Sequence, residues 1–369
     1  MRIADRLSQA EEDAVPRPYQ LQLHLTDYCN LKCVFCPTKT LIPDVNLDQK
    51  NELTLHQWLD LIKQAVDFGV EEFHICGGGE PFFFHKKAMA VMSRIKDLGK
   101  RGEIINNGTL LRPESIQMLV RKGWDKVTFS VDGPTPEVHD FIRAGTSFEL
   151  ISHNIRRLAD LKVELGVEKP QLCIHFVVCS LNYMSIPDMI PLCERLGVDT
   201  FLIQALNIWS EEINQYKLSP DQGIELRGIL RVAFKQAQEA GISTNIQDFF
   251  RHDLFPKANV MDEAMVHAAG KTSASHPLAE SPCFMPWYNL SVFADGRVLP
   301  CFILRDPGVS FKEHSLEDIW KSGYFKELRE EMRSKRLRRD CAKCNPWTLP
   351  KTQEIREALN SMMVITHGR

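Results

Sequence analysis

A chain of 369 residues, 44% hydrophobic and 25% charged, has the make-up of a globular protein long enough for an α/β barrel with an appendage. A net charge of −3 and a pI near 6.5 give no basis for binding nucleic acid or an anionic membrane. No apolar run approaches the roughly eighteen residues needed to span a bilayer, and MRIADRLSQAEEDA lacks the apolar stretch of a signal peptide. The expected compartment is the cytoplasm, where eleven cysteines stay reduced and close cysteine spacing points to metal rather than disulfides.

The first 206 residues alternate strand-like and helix-like segments. The apolar, β-rich runs LQLHLT (21–26), FHICG (73–77), EIINN (103–107), KVTFSVD (126–132), LCIHFVVC (172–179) and TFLIQAL (200–206) have strand length. Between them Thr54, Thr146 and Ser185, each followed three residues later by Gln57, Glu149 and Asp188, are expected to open helices, and Pro113 suits a first helical turn. Leu150, Ile151, Ile155, Leu158 and Leu161 repeat with helical spacing. Six such units imply a parallel sheet with right-handed crossovers. Residues 207–275 read as a helix over about 219–240 and then an irregular linker. A second module, 276–350, holds a β-hairpin turning at Asp295-Gly296 and a helical stretch from Leu316 to about Arg338, leaving 351–369 as a tail. The basic run RSKRLRR (333–339) is a solvated face. There is no internal repeat.

Chemistry concentrates at the ends of the strands. After the first, YCNLKCVFC sets Cys29, Cys33 and Cys36 at C-x3-C-x2-C. Structural zinc asks for four protein ligands, so three thiolates leave a metal one open position; the alternative is zinc completed by His24 or His74. Three cysteines can also hold a four-iron cluster with one iron not ligated by protein. GGGEP (Gly77, Gly78, Gly79, Glu80, Pro81) ends the second strand as a tight turn whose bare backbone admits a ligand. NNGTLL, with Asn107, ends the third, and Thr128, Ser130 and Asp132 share one face of the fourth. On the fifth, Cys173, His175, Val177 and Cys179 share the inward face. Cys179, near the reactive end, is either a small buried hydrophobe or a thiol able to return hydrogen to a substrate radical. Cys193 falls on the apolar face of a helix and is structural, while Cys76 stays ambiguous. In the second module Cys283, Cys301, Cys341 and Cys344 can close a zinc ribbon or hold an iron–sulfur cluster.

With CNLKCVFC, GGGEP and the inward polar strands in this order, the chain resembles the radical S-adenosylmethionine (SAM) superfamily over nearly its whole length. The resemblance implies a partial (β/α)6 TIM-like barrel and a four-iron, four-sulfur cluster on Cys29, Cys33 and Cys36 whose open iron is chelated by SAM. It further implies that Gly77 to Pro81 bind the SAM amino group, that Ser130, Asp132 and Asn107 line the cosubstrate, that Arg143 takes its carboxylate, and that Phe35 lies near adenine. CFMPWYNLSVFADGRVLPC, a helix around SLEDIW and then CAKC resemble the SPASM/twitch extension of these enzymes. No cysteine follows Cys344, so the shorter twitch form is implied, with one auxiliary four-iron cluster on Cys283, Cys301, Cys341 and Cys344.

The expected activity is reductive cleavage of SAM, by an external reductant such as flavodoxin or ferredoxin, to a 5′-deoxyadenosyl radical that removes hydrogen from a C–H bond. Oxidation through the auxiliary cluster or epimerisation through Cys179 would follow. With the first strand near residue 20 there is no room for a leader-binding domain, so the expected substrate is a polar small molecule: a sugar, aminocyclitol or nucleotide-linked compound. Modification of a precursor peptide is the alternative, and a non-catalytic iron–sulfur or zinc scaffold is the alternative from another class.

Overall fold

A computed structural model describes residues 15–36, 51–208, 210–252 and 283–334, and positions 336, 338, 340, 341 and 344. The expected tail (351–369), the linker from residue 253 on and both edges of the expected second module (276–282 and 345–350) lie outside the described residues. All six expected strands are present: β1 (Gln20–Leu23), β2 (Glu72–Ile75), β3 (Arg101–Asn106), β4 (Lys126–Ser130), β5 (Gln171–Val178) and β6 (Thr200–Ala205). Each ends before its apolar run does. The last residues of these runs turn their polar groups to partners outside the ladder, as Thr26 does in donating to Glu52 at 2.6 Å.

The described chain falls into two compact units. One draws on His24–Leu55 and His74–Val260, the other on Met1–Leu23, His56–Phe73 and Met261–Arg369. The first holds β3 to β6 of the barrel sheet. From β3 to β6 all neighbours pair in parallel, with Thr128 opposite Cys173 and Val177 opposite Gln204, and the two-residue β7 (Ser243–Thr244) extends it beside β6. Together with the strand-to-helix alternation this is a partial TIM-like barrel. β7, and a helix over Ile246–His252 where an irregular linker was expected, are too short to give a periodic signal. Leu172, Ile174, Phe176 and Val178 on one face of β5 are fully buried, each large side chain contributing about 1.5–3 kcal/mol.

Local expectations are corrected at three positions. The helix Phe148–Leu165 is capped by Ser147, whose Oγ accepts from Leu150 N at 3.2 Å, and not by Thr146, whose hydroxyl is buried without a hydrogen bond. Ser185 donates to Asn182 O at 2.8 Å instead of capping Ile186–Leu196. Leu150 is 43% exposed, so Ile151, Ile155 and Leu158 carry the buried face. Pro113 opens its helix as expected, and Cys193 is buried with Ile186, Met189 and Ile190.

In the second unit β8 (Asn289–Val292) runs parallel to β1, and β9 (Arg297–Leu299) returns antiparallel around Asp295-Gly296. Gly296 takes φ +93°, which favours glycine, and Arg297 Nε closes on Asp295 Oδ2 at 2.6 Å. A short β10 (Val309–Ser310) follows. The single helical stretch expected from Leu316 to Arg338 is instead two helices, Leu316–Lys321 and Gly323–Arg333, broken at Ser322. Ser322 is extended (ψ 160°) and caps the second helix. Arg338 lies beyond the helix and bonds Glu331 at 2.6 Å and Asp306. No helix of the described residues is long and apolar enough to cross a membrane.

Candidate functional site

The three-cysteine loop is held by backbone on both sides. Lys32 N donates to Ala144 O at 2.7 Å and Val34 N to Ile142 O at 2.9 Å, while Leu31 N donates to Cys29 Sγ at 3.4 Å. Its entry is tied down by Glu52, which accepts from Thr26 Oγ1 and Asp27 N and pairs with Lys87 at 2.8 Å. Cys29 is exposed and Cys33 and Cys36 half-buried. Burial pushes the Cys33 thiol up to about 11, with Cys36 and Cys29 adding to the rise, and Cys29 is likewise raised by burial. Three thiols gathered in one short loop are a donor set for positive charge, which fits an iron–sulfur core.

GGGEP packs against this loop more tightly than a ligand cradle requires. Gly79 N donates to Thr26 O at 2.7 Å and Glu80 N to Tyr28 O at 2.8 Å. A Cβ on Gly79 would lie 1.9 Å from Tyr28 O, and one on Gly78 2.6 Å from Thr26 O. These glycines therefore serve first to let two backbone segments meet. Pro81 begins a short 3-10 turn capped by Glu80. Glu80 is 3% exposed; Oε1 accepts from Phe82 N at 3.1 Å and Oε2 from Asn107 N at 2.7 Å. Burial outweighs these bonds and pushes its carboxyl up to about 7.

Asp132 and Arg143 form a buried ion pair, Nε to Oδ2, at 2.6 Å. Asp132 Oδ1 also accepts from Val177 N at 2.7 Å, and Arg143 Nη1 points at Cys33 Sγ, 3.8 Å away. Asp132 thus orients the arginine and anchors β5 rather than facing open space. Ser130, at the end of β4, is 9% exposed. Phe35 and Cys179 belong to one apolar cluster with Ile142, Val177, Leu206 and Ile213. Cys179 is fully buried, its thiol pushed up to about 12 by burial, while its carbonyl accepts from the Asn182 and Tyr183 amides.

Several polar residues that organise the site carry no motif. Asn30, inside CNLKC, accepts from Asn107 Nδ2 at 2.9 Å and donates to Thr109 Oγ1 at 2.9 Å, joining the cysteine loop to the end of β3. Asn182 donates to Asp132 O and Val177 O and accepts from Cys179 N. His139 Nδ1 accepts from Asp132 N at 3.1 Å; burial pushes this imidazole down to about 3, so it stays neutral. Asn30 could have been suspected from its place between two cysteines. Asn182 and His139 are 50 and 7 residues from Asp132 and meet it only in the fold.

In the other unit Cys283, Cys301, Cys341 and Cys344 line one cavity, with Met285, Leu328 and Met332 among its apolar walls. Burial raises the Cys301 thiol, and burial together with Cys301 and Cys283 raises the Cys341 thiol. Four thiols around an apolar cavity fit a fully protein-ligated cluster.

Known proteins share this arrangement. The model of the radical SAM superfamily matches residues 23–188, and that of an iron–sulfur cluster-binding (SPASM) domain matches 283–345. The tungsten-containing aldehyde ferredoxin oxidoreductase cofactor-modifying protein of Pyrococcus furiosus is 28% identical over 59% of this chain and 59% of its own length. The PqqA peptide cyclase of Rhizobium meliloti is 26% identical over 92% of this chain and 84% of its own. The fold is that of Streptococcus suis SuiB, solved with its precursor peptide SuiA, at a TM-score of 0.63 and 16% identity over 88% of this chain and 70% of that one. The chain carries a radical SAM domain followed by a C-terminal SPASM domain, and its cofactors are SAM, the four-iron, four-sulfur cluster of the first domain and auxiliary iron–sulfur of the second.

Proposed function

We propose that this enzyme modifies a peptide by removing hydrogen from one of its C–H bonds. The observation that carries the reading is the alignment with the PqqA peptide cyclase, which runs through both iron–sulfur domains and over 92% of this chain. It replaces the small polar metabolite expected from the sequence. Cys29, Cys33 and Cys36 would hold the cluster that supplies an electron for cleaving SAM to methionine and a 5′-deoxyadenosyl radical. Glu80 accepts the SAM ammonium: each of its oxygens already takes one backbone N–H, leaves a lone pair over, and gains a countercharge. Arg143, its plane set by Asp132, offers its remaining donors to the SAM carboxylate. Gly77, Gly78, Gly79 and Pro81 shape that pocket, Asn107 and Ser130 face the nucleoside, and Phe35 supports adenine.

Cys283, Cys301, Cys341 and Cys344 would hold the auxiliary cluster, which would supply an acceptor for the electron that leaves the substrate, with a proton lost to solvent, as a new bond or double bond forms. Cys179 has no part in this reading, because its sulfur is fully buried among apolar side chains. A small redox protein of the flavodoxin or ferredoxin class supplies the electron.

The test is anaerobic incubation of iron- and sulfide-reconstituted enzyme with SAM, dithionite and the short peptides encoded beside its gene, read by mass spectrometry. The expected result is 5′-deoxyadenosine together with a peptide lighter by two hydrogens. Turnover of a low-molecular-weight metabolite fraction with no change in any of those peptides would overturn the proposal.

A further inference from the structure

Phe325, Leu328 and Met332 form the buried stripe of the helix Gly323–Arg333, and Arg329 falls on that same stripe, one turn after Phe325. Its side chain is 3% exposed. Nε donates to Pro286 O at 2.9 Å and Nη1 to Trp320 O at 3.0 Å, while Nη2 has no hydrogen-bond partner. The guanidinium lies over the Trp320 ring at 4.3 Å and the Phe325 ring at 5.5 Å. Among the described residues no carboxylate pairs with it, in contrast to Arg338, which is met by Asp306 and Glu331. Two carbonyls and two aromatic faces soften the cost of a buried cation without neutralising it. Burial, with Arg333 nearby, pushes Arg329 down to about 10, which leaves it charged at neutral pH.

Arg329 does not itself line a cavity, but its neighbours place it behind the wall of one. Pro286, whose carbonyl it bonds, and Leu328 and Met332, on either side of it along the helix, all line the cavity shared by Cys283, Cys301, Cys341 and Cys344. Four thiolates bring four negative charges to that cavity. With a four-iron, four-sulfur core of charge +2 the sum is −2, and uptake of one electron takes it to −3. A fixed cation buried behind an apolar wall is attracted more strongly to the second state, so it favours reduction.

We propose that Arg329 is the buried counter-charge of the auxiliary site and raises its reduction potential, making it a better acceptor for the electron that leaves the substrate. The inference rests on the reading that the four cysteines hold an iron–sulfur cluster. Arg329 acts through that site as a positioning residue and touches no substrate.

The test uses the full chain with Cys29→Ala, Cys33→Ala and Cys36→Ala, so that only the auxiliary site titrates, followed by electron paramagnetic resonance against applied potential. Arg329→Gln should lower the equilibrium constant for reduction at least tenfold, about 59 mV for one electron, while Arg329→Lys, which keeps the charge, should stay close to the parent. An unchanged potential in iron-loaded Arg329→Gln, or an equal fall in Arg329→Lys, would overturn the inference. Thermal melting of Arg329→Met gives a second reading. Removing the cation should leave the cluster-free chain as stable as the parent, or more so, and destabilise only the loaded chain. An equal loss in both states means that Arg329 only ties Pro286 to Trp320, and the inference fails. Zinc in place of iron in the parent would instead overturn the cluster reading beneath it.

Discussion

The two thiol sites of this molecule are built on opposite principles. Around Cys29, Cys33 and Cys36 the walls are polar: Glu80, Asn107, Asp132 and Arg143 are buried or nearly so, and each is engaged in hydrogen bonds. Around Cys283, Cys301, Cys341 and Cys344 the walls are apolar, and the one buried charge close by, Arg329, has no acid partner among the described residues. The first arrangement suits a centre that must receive a zwitterionic cosubstrate at its open position. The second suits a centre completed by protein, which exchanges electrons and has no place for a ligand. In the first, Asp132 and Arg143 pair their charges with each other, whereas in the second the charge is left for the cofactor to pair.

The largest expected effect cuts the comparison in two. Replacing Cys29, Cys33 and Cys36 by Ala should abolish SAM cleavage and leave roughly half of about eight irons per chain; iron analysis and assay of 5′-deoxyadenosine check it. Retention of SAM cleavage would mean that the open site is elsewhere. The converse variant, Cys341→Ala with Cys344→Ala, should also lose about half of the iron yet continue to cleave SAM while forming no modified product. Normal product from soluble enzyme of this kind would deny the second site its electron-accepting role.

Smaller changes sharpen the contrast in the polar walls. Asp132→Asn strips the partner from Arg143 and should cost about 3–5 kcal/mol in urea unfolding, with SAM affinity falling as the guanidinium loses its orientation. A loss under 1 kcal/mol in that measurement would remove the ion pair from the account.

Glu80 gives a pH signature of known sign. Its folded pKa of about 7 lies above the usual carboxylate value, so the folded state binds the proton more tightly than the unfolded state does. Stability relative to Glu80→Gln should therefore decline in SAM-free protein as the pH rises from about 4.5 to 7, by on the order of 3 kcal/mol at about 1.4 kcal/mol for each tenfold change in proton affinity. SAM, whose ammonium favours the ionised form, should bind better across the same rise. A pH-independent difference between the two proteins would show that the carboxyl is not held in the neutral form.

The smallest effect belongs to Cys179. Its replacement by Ala should cost about 1 kcal/mol as a small core truncation and leave turnover unchanged. Normal SAM cleavage with a stalled product would instead make this thiol the hydrogen donor.

Sequence alone determined the six strands, their parallel order and the two cysteine sets, because strand length, alternation and ligand spacing are local properties of the chain. It also placed GGGEP and Ser130 at strand ends, since the end of a parallel strand is where such loops must lie. What only the tertiary structure decided are the pairings between distant segments. Gly78 and Gly79 read as a ligand turn but are required by the backbone of Thr26 and Tyr28. Asp132 read as a cosubstrate contact but is spent on Arg143 and Val177. Arg329, one arginine among several in LREEMRSKR, is distinguished by burial and by the cavity beside it. A polar residue's partner is set by which segments fold together, and no local pattern in the chain encodes that.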